Sequence, residues 1–219
     1  MKKALLAAVF AATFPIFVMA ATYDDLISSA KLGDTSGIAP LITRGASIDT
    51  SDIDGNTLLM LAARDGHVEL TDYLIKHRAK LNARNAAGDT ALRLAAFRGH
   101  QKVVELLIAG GVAVNMPGWT ALTYAAFAGH PEIARLLIKA DADVNSASEN
   151  GMTPLIAAAR GGHIEVVQLL LSSKADPNRA LESGETALDL ALRNQHTDIA
   201  ALLTRSGGKS GKTAGSVVQ

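Results

Sequence analysis

Six histidines are the residues best equipped for chemistry in this chain of 219 residues without cysteine. Five of them, His67, His100, His130, His163 and His196, recur at nearly constant intervals and invite a metal or haem hypothesis. The spacing argues against it. One histidine per period, at the same place on a helix, puts neighbours on the order of 10 Å apart, whereas ligand bonds to one metal need about 2 Å. A repeated context points instead to a repeated backbone hydrogen bond. His77 lies outside the series and reads as solvated.

Other chemistry fails on spacing. Gly207-Gly208-Lys209-Ser210-Gly211-Lys212-Thr213 looks like a phosphate loop. The motif needs a glycine five residues before its Gly-Lys pair, and those positions hold Leu203 and Ser206. His-Glu-x-x-His, Gly-x-Ser-x-Gly and a Cys-His pair are absent, and no catalytic constellation or cofactor site emerges.

The elements that carry the histidines are themselves periodic. Gly55-Asn56-Thr57-Leu58-Leu59 returns as Gly88-Asp89-Thr90-Ala91-Leu92, Gly118-Trp119-Thr120-Ala121-Leu122, Gly151-Met152-Thr153-Pro154-Leu155 and Gly184-Glu185-Thr186-Ala187-Leu188, at intervals of 33, 30, 33 and 33 residues. Such a period signals a stacked array that presents a long surface, which favours binding over catalysis. Thr57, Thr90, Thr120, Thr153 and Thr186 stand where a helix N-cap belongs. Ala62-Ala63, Ala95-Ala96, Ala125-Ala126 and Ala158-Ala159 follow, and let neighbouring repeats approach. A glycine before each of the first four periodic histidines ends the first helix without a Cβ penalty. Apolar second helices come next, and the units close on Asp49, Asn82, Asn115, Asn145 and Asn178.

This combination resembles the ankyrin repeat, a β-turn finger followed by two antiparallel helices, over about residues 22–205. The resemblance implies an all-α repeat solenoid of about six repeats: a divergent first repeat at 22–54, then 55–87, 88–117, 118–150 and 151–183, and a polar C-terminal cap at 184–205. Two departures stand out. The histidine that usually follows Thr-Pro-Leu is replaced by Met60, Arg93, Thr123, Ile156 and Asp189, so its hydrogen bond is expected to be missing. The glycine that usually ends the second helix survives as Gly45 and Gly111, while Arg78, Asp141 and Lys174 replace it elsewhere. In the left-handed conformation each of these would cost about 1 kcal/mol.

The ends and the charge bound the setting. Lys2-Lys3, the apolar stretch Ala4–Val18 and Val18-Met19-Ala20 read as a signal peptide cleaved after Ala20, short for a membrane span. The expected destination is the periplasm or the exterior. Without the leader, 19 basic residues face 21 acidic ones, so nothing suggests nucleic acid. Residues 206–219, rich in Gly, Ser and Lys, read as a disordered tail.

Six aromatic residues lie beyond the leader, and four of them, Phe97, Trp119, Tyr124 and Phe127, fall within 31 residues. The period between Gly88 and Gly118 is three residues short, so the finger Asn115-Met116-Pro117-Gly118 must be clipped. That is either harmless length variation or a notch that opens access to Trp119. By resemblance, the residue after the turn glycine and exposed first-helix positions line a concave groove. Leu94, Trp119, Tyr124 and Met152 would then form an apolar strip, with Asp89, Arg93, Arg98 and Glu185 as its polar rim. Phe97 and Phe127 are either part of that surface or core between repeats. The resemblance implies a monomeric, non-catalytic module that binds another protein. It also implies three roles: support of a periplasmic catalase in oxidative-stress defence, immunity against a delivered toxin, or an envelope scaffold. A haem or metal carrier is the outlying alternative.

Overall fold

The computed structural model describes residues 22–211. The expected leader and cleavage site and residues 212–219 lie outside the described residues. Among the described residues, twelve helices follow one another as repeated pairs. The chain divides between Ala91 and Leu92, at the start of α5, into two compact units.

The first unit holds α1 (residues 22–32) and α2 (Thr35–Thr43), then α3 (Leu58–Asp65) and α4 (Val68–Lys76). Asp34 caps α2 by accepting from the Gly37 N–H at 2.9 Å, and Thr57 caps α3 by accepting from Met60. Every residue of α3 from Leu58 to Ala63 is buried, as the core of a two-helix layer requires.

The second unit holds most of α5 (Ala91–Arg98), then α6 (Gln101–Ala109), α7 (Ala121–Ala128), α8 (Pro131–Lys139), α9 (Pro154–Gly161), α10 (Ile164–Ser172), α11 (Ala187–Arg193) and α12 (Thr197–Arg205). Thr120, Thr153 and Thr186 cap α7, α9 and α11 through the N–H three residues on. Pro131 opens α8, where its missing N–H costs nothing.

The Gly-His pair has two jobs. Gly129 and Gly162 end α7 and α9 at φ of 75° and 79°. Each also lies under the next repeat's histidine ring: a Cβ on Gly162 would stand 2.7 Å from His196. The ring then reaches past the glycine to a carbonyl two residues before it. His163 Nε2 lies 2.9 Å from Phe127 O, and His130 Nε2 lies 3.2 Å from Phe97 O. His67 makes the same contact with Lys31 O in the first unit. In the last repeat Asn194 takes over, donating to Arg160 O at 2.9 Å.

The closing asparagines are a second stitch. Asn145 donates to Lys174 O and accepts from Asp176 N–H, and Asn115 does the same with Asp141 O and Asp143 N–H. Asp49 keeps the acceptor half, taking the Lys80 N–H at 2.9 Å. Asn178 donates to Gly207 O and accepts from Lys209 N–H. That last pair corrects the expected tail boundary. Residues 206–211 are seated on the last repeat, with Gly207 at φ 85° in the place of Lys174 and Asp141. Arg78, Asp141 and Lys174 do adopt the left-handed conformation, at φ of 65°, 61° and 68°.

Candidate interaction surface

The four clustered aromatics of the second unit form one continuous patch. Trp119 lies beside Tyr124 (ring centroids 5.3 Å apart) and edge-on to Phe127 (5.7 Å). Phe97 completes the circuit against Tyr124 (5.7 Å) and Phe127 (6.5 Å). These are the distances of direct ring contact. None of the four is buried: Phe97 is 38% exposed and the other three are half-buried. Phe97 and Phe127 therefore belong to the surface and not to the core between repeats. The Arg98 guanidinium sits 5.9 Å from the Phe97 ring centroid, within cation–π range.

The clipped finger shapes this patch. Tyr124 and its equivalents Leu61, Ala157 and Leu190 occupy one position of the first helix, and those three are at most 1% exposed. Leu94 and Tyr124 are half-buried, and they stand on the first helices of the repeats before and after residues 115–118, α5 and α7. Exposure at this position thus goes with the shortened finger.

Arg93 departs from the expected rim. It is 6% exposed, and its Nη2 donates to Met116 O (2.9 Å) and Pro117 O (2.5 Å). The guanidinium reaches these carbonyls from α5, across to a finger three residues short. The hydrogen bonds expected to be lost with the missing histidine are here replaced, not absent. Asp189, at the same repeat position, closes a capping box with Thr186 and holds Ser210 and Gly211.

Met152 also departs from the expected strip, being 3% exposed. Its full-length finger closes across it, with Ser148 N–H donating to Met152 O at 3.0 Å, and the flexible thioether turns into the core. Glu185 is half-buried and paired with Arg193. Asp89 belongs to the first unit, where its N–H donates to Asn85 Oδ1. The expected site therefore reduces to Leu94, Trp119, Tyr124 and Arg98, joined by Phe97 and Phe127.

Sequence reasoning missed Arg160. It is exposed, and it stands where Phe97 and Phe127 stand in the two preceding repeats, two residues before the glycine of Gly-His. That register was legible in the sequence. Among the described residues, no group of three or more His, Asp or Glu is placed to hold a metal ion, and no helix is long and apolar enough to cross a membrane.

A two-helix unit with a finger, a threonine cap and a glycine–histidine stitch defines a repeat-type binding protein. A family model described as ankyrin repeats (3 copies) matches residues 26–117, 79–148, 110–180 and 142–213. The chain belongs to the ankyrin-repeat family, whose members are protein–protein interaction modules and generally non-catalytic. Comparison with curated proteins finds no significant match.

Proposed function

We propose that this protein binds a partner protein on its first-helix face, anchored by Trp119, Tyr124, Phe97 and Phe127. One observation carries the reading: four rings in mutual contact, left open to solvent beside a shortened finger. Tryptophan and tyrosine are the side chains most enriched among residues that dominate binding energy, at about 2 kcal/mol or more each. A rigid array fixes them beforehand, so little conformational entropy is lost on docking. In this reading the leader sends the protein to the periplasm. The resemblance to periplasmic ankyrin proteins then supports catalase support, toxin immunity or scaffolding as the use.

The test is capture from periplasmic extract with tagged protein, run beside the Trp119→Ala/Tyr124→Ala double variant. We expect one abundant partner, lost with the folded double variant. A partner kept by the folded double variant moves the site to the fingers, and unfolding of the variant places the rings in the core. The partner's identity separates the roles. Catalase support further predicts peroxide sensitivity on deletion, and immunity predicts death of the deletion strain beside toxin-producing kin.

A further inference from the structure

The carbonyls that receive the inter-repeat stitch mark equivalent positions on successive first helices: Phe97, Phe127 and Arg160, joined to His130, His163 and Asn194. Arg193 holds the same position in the last repeat. The row within the second unit therefore reads two rings, then two guanidinium groups. The exposed charges on the first helices that carry it are one-sided. From Leu92 onward the first helices carry Arg93, Arg98, Arg160, Arg193 and Asp189. Arg93 is buried in the finger clamp, and Asp189 is engaged by Ser210 and Gly211. What remains exposed is cationic: Arg98, Arg160 and Arg193, with Arg193 partly neutralised by Glu185. Acidic residues in the same repeats sit off the first helices, on the second helices as Glu105, Glu132, Glu165 and Asp198, and in the loops and fingers as Asp141, Asp143, Glu149, Asp176, Glu182 and Glu185. With a formal charge of zero for the whole chain, this is an arrangement and not a bulk excess.

We infer that the partner docks an acidic segment along this row, with an apolar or aromatic side chain on the four rings and carboxylates at Arg160 and Arg193. The inference rests on the docking face proposed above and names the chemistry that fits it. Planar guanidinium groups pair carboxylates bidentately, and complementary charge fixes the register of a bound segment. A cationic ligand does not fit. The rings touch one another, leaving no cage between them, and Arg98 stands over the edge of the patch. A nucleic-acid strand would call for a longer basic track than three arginines on a neutral chain.

The experiment is selection of short random displayed peptides on the whole chain, followed by affinity measurement of the enriched sequences. We expect Asp and Glu to be enriched beside an aromatic residue. Arg160→Glu, which touches no ring of the patch, should weaken the best peptide by about tenfold, and added salt should weaken it further. A neutral or basic pool, no enriched pool, unchanged affinity in folded Arg160→Glu, or equal binding of a single-stranded oligonucleotide overturns the inference. The two readings fail differently. Peptides that need Trp119 and Tyr124 but carry no acid sink only the charge inference, whereas peptides that bind the Trp119→Ala/Tyr124→Ala variant equally well sink the docking face itself.

Discussion

The clipped finger at 115–118 and the C-terminal segment at 206–211 are two segments of the second unit that a charged first-helix side chain holds. Both are held by the residue at the same repeat position, and the two residues have opposite charge. Arg93 meets the carbonyls of Met116 and Pro117. Asp189 meets the N–H of Gly211 and the hydroxyl of Ser210, along with its own cap at Thr186. In repeats followed by a full finger, this position is apolar or weakly polar: Met60 and Ile156 are buried, and Thr123 bonds only within its own turn. The sign of the side chain matches the groups it meets: the guanidinium donates to carbonyls, and the carboxylate accepts from an N–H and a hydroxyl. Charge at this position thus holds a neighbouring segment, and Arg93, expected at the rim of a binding site, is engaged by the clipped finger instead.

The clamp should be the stronger of the two. Arg93→Met removes a nearly buried guanidinium and leaves two carbonyls without it, at a cost of about 3 kcal/mol. Thr123→Val, one repeat on, removes a single neutral hydroxyl bond and should cost about 1 kcal/mol. Urea unfolding measures both. Trp119 is the only tryptophan and immediately follows the clipped finger, so its emission should shift to the red in Arg93→Met alone. Equal costs for the two variants would break the comparison, because Arg93 would then be an ordinary buried side chain.

The C-terminal latch should be weaker and sensitive to acid. Asp189→Ala removes one half of a capping box and the contacts to Ser210 and Gly211, for about 1.5 kcal/mol. Amide exchange at Gly211 should rise in that variant, and exchange at Lys209, whose N–H donates to Asn178, should change less. Burial pushes the Asp189 carboxyl up, but hydrogen bonds from Ser210, Thr186 and Gly211 outweigh burial and hold it below the ordinary aspartate value. A depressed native value means the stabilisation is complete above about pH 3.9 and is lost as pH falls through the lower native value. Acid should therefore release residues 210–211, read by exchange at Gly211, and leave the Arg93 clamp closed. Release that is independent of pH would show that Ser210 and Gly211 are held by something other than the Asp189 charge.

The repeats were legible because their signals are local. Thr153 caps the helix it precedes, and Gly129 takes a positive φ that its own turn demands. What could not be read from one repeat depends on the next. Gly162 also has to be glycine because the His196 ring occupies the space of its Cβ. Met152 and Trp119 follow the same turn glycine, yet one is buried and the other half-buried. The seating of residues 206–211 was hidden by composition, since Gly and Ser read as disorder. A positional signal was there: Arg78, Gly111, Asp141, Lys174 and Gly207 each lie eleven residues after a periodic histidine. Arg160 was missed for want of the same alignment. The aromatic patch was found because its rings are close in sequence as well as in space.

Gln195 carries the smallest effect and extends the comparison to the backbone. It holds the position of Gly129 and Gly162, and it keeps their left-handed conformation at φ 62°. Those glycines have two reasons to be glycine, the φ and the ring of the following repeat. No histidine follows the last repeat within the described residues, so only the φ remains to be satisfied at Gln195. A side chain there is tolerated at a cost of about 1 kcal/mol at most, which Gln195→Gly should recover as a higher urea midpoint. The reverse change at Gly162 adds the collision with His196 and should destabilise more than the φ alone explains. If Gln195→Gly instead lowers the midpoint, the last repeat uses the glutamine side chain itself, and the view that end repeats merely relax the rules set by a neighbour fails there.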